Sequence, residues 1–291
     1  MLAPELLLDT HADLGEGPAW DAEAKQLYWV DIHAGDVHIF DPEKGTDACI
    51  SLGEKVGCVA PCQSGELVIA LRGCFATLNL NTQKLNRIVA VNEHFPGNRF
   101  NDGKCDPVGR FLAGTMDDAE KEASGALYSL SPNGLLKTLL TGVRISNGMA
   151  WSPNYKTFYH IDTPSRQITA FDYDLATGEL SDSRTVIEIS PELGWPDGMT
   201  SDSQGMLWVA MWGGAKITRW NPFNGQLVEA TPVPALNITS CIFGGADLTD
   251  LYITSARKGL SQEQLVKYPQ SGGLIKIKTE IQGMPTFAFG G

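Results

Sequence analysis

The stretch Ser146-Asn147-Gly148-Met149-Ala150-Trp151 returns along the chain in altered form, and its returns decide the fold. The counterparts are Gly15-Glu16-Gly17-Pro18-Ala19-Trp20, Val56-Gly57-Cys58-Val59, Asp102-Gly103-Lys104-Cys105, Asp197-Gly198-Met199-Thr200 and Thr239-Ser240-Cys241-Ile242. Their heads stand at 16, 56, 102, 147, 197 and 239, so successive gaps are 40, 46, 45, 50 and 42 residues. A period in the forties, rich in aromatics and turn glycines, belongs to four-stranded propeller blades rather than to helical pairs.

The segments between the heads agree. Each head is followed by an apolar run, a turn, and a second run that is aromatic and β-branched. These second runs are Leu27-Tyr-Trp-Val30, Leu67-Val-Ile-Ala70, Arg110-Phe-Leu-Ala113, Thr157-Phe-Tyr-His160, Leu207-Trp-Val-Ala210 and Leu251-Tyr-Ile-Thr254. They are short, β-prone and bounded by turn residues, as strands are. A third run, such as Asp36-Val-His-Ile-Phe40 or Ile217-Thr-Arg-Trp220, closes on turns like Asp41-Pro-Glu-Lys-Gly45 and Asn221-Pro-Phe-Asn-Gly225. No comparable pattern supports a long helix. The predicted fold is all-β, a six-bladed propeller with four antiparallel strands per blade, as one domain over residues 1–291.

Composition narrows the function. The 291 residues are 43% hydrophobic and 19% charged, enough to bury one large core. A net charge of −12 argues against nucleic acid and anionic membranes as partners, since their phosphates would repel the chain. The stretch Asp117-Asp-Ala-Glu-Lys-Glu122 reads as a solvated loop. The segment from Met1 to Asp9 has a glutamate inside a brief apolar run and no cationic lead, unlike a signal peptide or a membrane span. Six cysteines, at 49, 58, 62, 74, 105 and 241, include no Cys-x-x-Cys pair and fall mostly in predicted strands. Reduced buried thiols and a cytoplasmic location follow as expectations.

In a propeller the innermost strand of each blade starts near the central channel, so six heads converge on one axial site. Three of them carry oxygen ligands: Glu16, Asn147 and Asp197. Two carboxylates and an amide oxygen form a hard donor set suited to Ca²⁺, Mg²⁺ or Mn²⁺, with Zn²⁺ less favoured by ligand type. For a single Asn-Gly or Asp-Gly head, a hairpin turn accounts for the residues equally well. Glu16 has no such turn role, and three ligands in equivalent repeat positions favour a shared metal. Asp102 stands in the same register, with Asn101 beside it.

These residues also resemble the senescence marker protein, regucalcin and gluconolactonase family of six-bladed propellers, over nearly the whole chain. The specific stretches are Gly15-Glu-Gly-Pro-Ala-Trp20, Asn98-Arg-Phe-Asn-Asp-Gly-Lys104, Ala113-Gly-Thr-Met116, Ser146-Asn-Gly-Met-Ala-Trp151, Phe171-Asp-Tyr-Asp174 and Pro196-Asp-Gly-Met199. The resemblance implies one divalent metal ion held by Glu16, Asn147 and Asp197, with Arg99 and Asn101 contacting the substrate. It implies a small-molecule sugar lactone as substrate, hydrolysed to the aldonic acid. Family members often carry a glutamate shortly after Gly-Thr-Met that holds sugar hydroxyls. Here Ala119 stands near that position, flanked by Asp118 and Glu120, and either neighbour, or neither, replaces it.

On the chemistry, Asp197 is the expected general base, a monodentate ligand keeping one oxygen free for the proton of the attacking water. Arg99 offers a rigid fork of donors, against the plainer alternative of a surface ion pair. The rivals are a metal-dependent esterase or phosphotriesterase on the same scaffold, and a non-enzymatic calcium-binding propeller. There is no Gly-x-Ser-x-Gly elbow, and Ser255-Ala-Arg-Lys258 matches Ser-x-x-Lys without its companion motifs. The five histidines, at 11, 33, 38, 94 and 160, lack metal spacing, and Trp212 is the tryptophan expected near a cavity mouth.

Overall fold

The computed structural model describes residues 3–91 and 95–291, so His94 lies outside the described residues. The first strand, β1 (Glu5–Leu8), is followed by five runs of four: β2 (Gly15–Asp21), β3 (Gln26–Asp31), β4 (Asp36–Asp41) and β5 (Thr46–Ser51) in blade 1. Blade 2 is β6 (Val56–Pro61), β7 (Leu67–Leu71), β8 (Cys74–Leu78) and β9 (Leu85–Ala90). Blade 3 is β10 (Asn98–Cys105), β11 (Phe111–Asp117), β12 (Gly125–Leu130) and β13 (Leu136–Val143). Blade 4 is β14 (Ser146–Trp151), β15 (Thr157–Asp162), β16 (Gln167–Asp174) and β17 (Glu179–Glu188). Blade 5 is β18 (Trp195–Ser201), β19 (Leu207–Trp212), β20 (Lys216–Asn221) and β21 (Gln226–Pro232). Blade 6 takes β22 (Asn237–Gly244), β23 (Asp250–Ala256) and β24 (Leu274–Lys278), and β1 pairs antiparallel with β24 as its fourth strand.

The ring is closed twice. Besides β1, which ties the beginning of the chain to its last blade, the inner strands pack in a circuit of β2, β6, β10, β14, β18 and β22, with β22 returning to β2. Apolar burial follows the same circuit. One cluster joins blades 1 and 2 around Val30 and Val59, and another joins blades 2 and 3 around Phe75 and Phe100. The seams between blades 3 and 4, 4 and 5, 5 and 6, and 6 and 1 are filled around Phe158, Met199, Phe243 and Tyr252 respectively. Each blade therefore buries both faces against neighbours, which is why its middle strands read as nearly continuous apolar runs.

All six inner strands share an irregularity. The register with the second strand shifts at or just past the head, between Glu16 and Ala19, Val56 and Cys58, Phe100 and Gly103, Asn147 and Met149, Pro196 and Met199, and Ile238 and Ser240. A bulge re-aims the side chain it carries and ends regular pairing there. The Asx-Gly pairs are therefore strand bulges, and the hairpin-turn alternative does not hold for them. Their glycines answer to space instead. A Cβ on Gly148 would lie 2.7 Å from the Asp197 carbonyl and 2.9 Å from Met199 Cβ, so glycine lets blades 4 and 5 approach at the axis.

The only α-helix among the described residues is α1 (Gln262–Lys267), which opens on a capping box between Ser261 and Gln264. No described helix is long and apolar enough to cross a membrane.

Candidate active site

The bulges bring Glu16, Asn147 and Asp197 to one cavity of about 820 Å³ on the ring axis. All three are buried, at 2%, 3% and 6% exposure. Glu16 and Asn147 are each steadied by the next residue: the Gly17 N–H donates to Glu16 Oε2 at 2.8 Å, and the Gly148 N–H to Asn147 Oδ1 at 3.3 Å. Asn147 Nδ2 donates to Thr163 Oγ1 at 3.1 Å, and Thr163 Oγ1 donates to the Pro196 carbonyl at 2.8 Å. Thr163 thereby sets which end of the Asn147 amide presents oxygen to the cavity. Asp197 Oδ1 is buried with no hydrogen-bond partner.

The electrostatics of this cluster favour a cation. Burial, then the Asp197 and Asp102 charges, push the Glu16 carboxyl well above its ordinary 4.5. Burial, then Asp102, push the Asp197 carboxyl well above 3.8. Asp102 is buried too, raised by desolvation and opposed by Lys104, whose Nζ donates to the Met199 carbonyl at 2.8 Å. Like charges drawn together out of water are costly unless a cation joins them. An unpartnered carboxylate oxygen beside a second carboxylate and an oriented amide oxygen fits a hard divalent ion. A mixed group of Asp36, His38 and Cys49 stands on the outer hairpin of blade 1, away from this cavity, where His38 already bonds Asp47 and stacks on Trp29.

Arg99 and Asn101 line the same cavity. Arg99 is 3% exposed, so the alternative of a surface ion pair fails. Its Nε donates to Asp118 Oδ1 at 3.1 Å and its Nη1 to Asn101 Oδ1 at 2.7 Å, while Asn101 Nδ2 donates to the Ser146 carbonyl at 3.0 Å. Asp118 stands behind Arg99 rather than on the cavity wall, shared with Lys55 Nζ at 2.8 Å. Glu120 does reach the cavity rim, in an ion pair with Lys258. The 117–122 loop is solvated, as expected from composition, with residues 119–122 exposed, and it is also tied to the body through the Asp118 and Glu120 carboxylates.

Trp212 lines the cavity as expected, Lys258 lines it although it was read only as part of an unsupported Ser-x-x-Lys match, and Trp195, Arg144, Thr163 and Gln264 line it without having been singled out. Ser255 donates its hydroxyl to the Gly273 carbonyl and Lys258 pairs with Glu120, so no Ser-Lys dyad forms. None of the described histidines lines the cavity. His160 is held neutral, its value pulled down to about 4 by burial. The six cysteines are free thiols, five buried and Cys49 exposed.

Comparison with known proteins places the chain. Residues 14–257 match the family described as SMP-30/Gluconolactonase/LRE-like region. The chain belongs to this family. Among its relatives, the Bacillus subtilis (strain 168) protein named "Putative sugar lactone lactonase YvrE" is 38% identical over 285 residues, covering 97% of each chain. Regucalcin of Gallus gallus is 39% identical over 284 residues, 96% of this chain and 95% of that one. A crystal structure of the calcium-binding protein regucalcin from Agrobacterium tumefaciens superposes with a TM-score of 0.94 at 26% identity, covering 99% of this chain and 97% of the other. A luciferin-regenerating enzyme structure does so at 0.93 with 29% identity, covering 99% of both.

Proposed function

We propose that this member of the SMP-30/gluconolactonase/LRE-like family is a divalent-metal-dependent lactone hydrolase that opens a sugar lactone to its aldonic acid. The observation carrying the reading is the buried set of Glu16, Asn147 and Asp197 on one cavity, with Asp197 Oδ1 unpartnered. The names of the relatives support it: one is a sugar lactone lactonase by name, and the Agrobacterium regucalcin is described as calcium-binding. A divalent cation held by Glu16, Asn147 and Asp197 would supply Lewis-acid polarisation of the lactone carbonyl, and the all-oxygen set suits Ca²⁺, Mg²⁺ or Mn²⁺ better than Zn²⁺.

The chain's own residues supply the rest. Arg99, fixed by Asp118 and Asn101, presents its remaining guanidinium donors to ring and hydroxyl oxygens, and the second Nδ2 hydrogen of Asn101 extends that row. Trp212 and Trp195 give apolar surface for the sugar's C–H faces. Asp197 accepts a proton from water as its oxygen bonds to the lactone carbonyl carbon. The ring C–O bond then breaks, and the ring oxygen leaves as a hydroxyl after taking up a proton. Glu120 at the rim is placed to meet sugar hydroxyls, while Asp118 acts on substrate only through Arg99.

The test is hydrolysis of aldono-lactones, aryl esters and organophosphates, with and without chelator. Lactones are expected to be the best substrates, with activity lost on chelation. Asp197→Asn with metal restored is expected to lower kcat by ~10² or more, the range of a positioned general base. Superior turnover of esters or organophosphates, or no turnover of any, would overturn the reading in favour of the two rivals.

A further inference from the structure

We infer that the substrate carries an anionic group, carboxylate or phosphate, besides the lactone, and that Arg144 and Lys258 bind it at the cavity rim. This rests on the lactonase reading and names its substrate class. The two cations come from distant parts of the chain yet meet the same loop tip: Lys258 Nζ pairs with Glu120, and Arg144 Nη2 donates to the Lys121 carbonyl at 3.3 Å. Both residues line the cavity.

Their backbones are pinned. The Asp162 carboxylate accepts the N–H of Arg144 at 3.2 Å and of Ile145 at 2.9 Å. The Lys258 N–H donates to the Asp13 carbonyl at 2.9 Å, and Asn237 Nδ2 donates to the Lys258 carbonyl at 3.1 Å. Arg144 has no carboxylate partner among the described residues; its guanidinium meets only a peptide oxygen. An exposed arginine held over a cavity with its charge unanswered is a receptor for an anion, and its planar fork suits carboxylate and phosphate alike.

The wider charge distribution sharpens the point. The chain carries a net charge of −12, a field that on the whole disfavours anionic ligands. Of the carboxylates lining this cavity, those of Glu16 and Asp197 are buried at the axis, and that of Glu120 alone is exposed, paired with Lys258. Glu120 holds a left-handed backbone at φ 60, a conformation uncommon outside glycine, and puts its carboxylate on Lys258. The product's new carboxylate does not account for the pair, because it forms at the buried axis beside Asp197 and not at the rim. A cavity of about 820 Å³ lies near the upper end for small-molecule sites, with room for a substituent beyond the sugar ring.

The experiment compares the metal-loaded protein on glucono-δ-lactone, a glucarolactone and 6-phosphogluconolactone, in wild type and Arg144→Gln, at low and high salt. At least one anionic lactone is expected to exceed the neutral one in kcat/KM by roughly tenfold, the worth of one charged hydrogen bond. That preference is expected to shrink about as much in Arg144→Gln, through KM, and to fall with salt. The carboxylate and phosphate arms distinguish the two sources of charge. In parallel, calorimetry compares binding of glucarate and 6-phosphogluconate with gluconate. A neutral lactone preferred by wild type, or a preference unmoved in Arg144→Gln, would overturn the anion site while leaving the lactonase reading intact. If no lactone is hydrolysed, that reading falls, and calorimetry alone then decides. Tighter binding of glucarate or 6-phosphogluconate than of gluconate, lost in Arg144→Gln, would uphold the anion site, and equal binding would end it.

Discussion

Glu16 is 2% exposed, and burial with the Asp197 and Asp102 charges raises its carboxyl well above 4.5. The folded metal-free chain thus holds that proton more tightly than the unfolded chain does. The contribution of Glu16 to stability is therefore fully present below pH 4.5 and is lost as pH rises past that value, until Glu16 ionises within the fold. Glutamine there removes the penalty. Chelated Glu16→Gln is expected to melt above chelated wild type at neutral pH by roughly 2–4 °C, which is what one kcal/mol is worth in a chain of this size. The gap should close on acidification toward 4.5. With saturating divalent metal the order should reverse, because the variant has lost an anionic ligand. Melting curves at both pH values, with and without chelator, check this; a chelated Glu16→Gln melting below wild type at neutral pH would mean that the protein alone satisfies the charge.

At the level of elements, the inner-strand bulge turns a repeat into a site, and it depends on close approach of blades. Gly148→Ala places a methyl 2.7 Å from the Asp197 carbonyl, against backbone that cannot swing away. A loss of about 1–3 kcal/mol, the usual cost of overpacking, is expected in chemical denaturation, with weaker metal affinity because β14 and β18 are forced apart. An unchanged midpoint and affinity would show that the two strands have slack. The strands themselves were legible because each carries its own turn residues and β-branched run, and Glu16, Asn147 and Asp197 were legible because the repeat puts them in one register. The bulges were not, since a register shift between partners leaves no mark in either partner's sequence. Nor was the pairing of β1 with β24, which depends on contacts some 270 residues apart such as Glu5 with Lys276. Arg144, Thr163, Trp195 and Lys258 escaped for a related reason: they stand in or beside loops, outside the repeat register, and only the closed ring gathers them. The 117–122 loop was legible as solvated from its charge, but its ion-pair partners were not: Arg99 comes from β10 of the same blade, Lys55 from the β5–β6 connection and Lys258 from the segment after β23.

For the whole molecule, the axial site joins parts of the ring that share no hydrogen-bonded sheet. Glu16 belongs to blade 1, Asn147 to blade 4 and Asp197 to blade 5, so one ion would tie three blades across the axis. If residues 1–291 behave as one domain, ion binding should raise a single cooperative melting transition rather than that of one part. Activity and stability should then track the same ion. The most direct measurement starts from exhaustively chelated protein, verified metal-free, and adds Ca²⁺, Mg²⁺ or Mn²⁺ back in steps. Lactone opening, followed by proton release, and the melting temperature are read at each step. The account predicts no activity at the start and a rise of both signals together that saturates at one ion per chain. Full lactone hydrolysis by the metal-free protein, or activity that fails to return as the melting temperature rises, would contradict it.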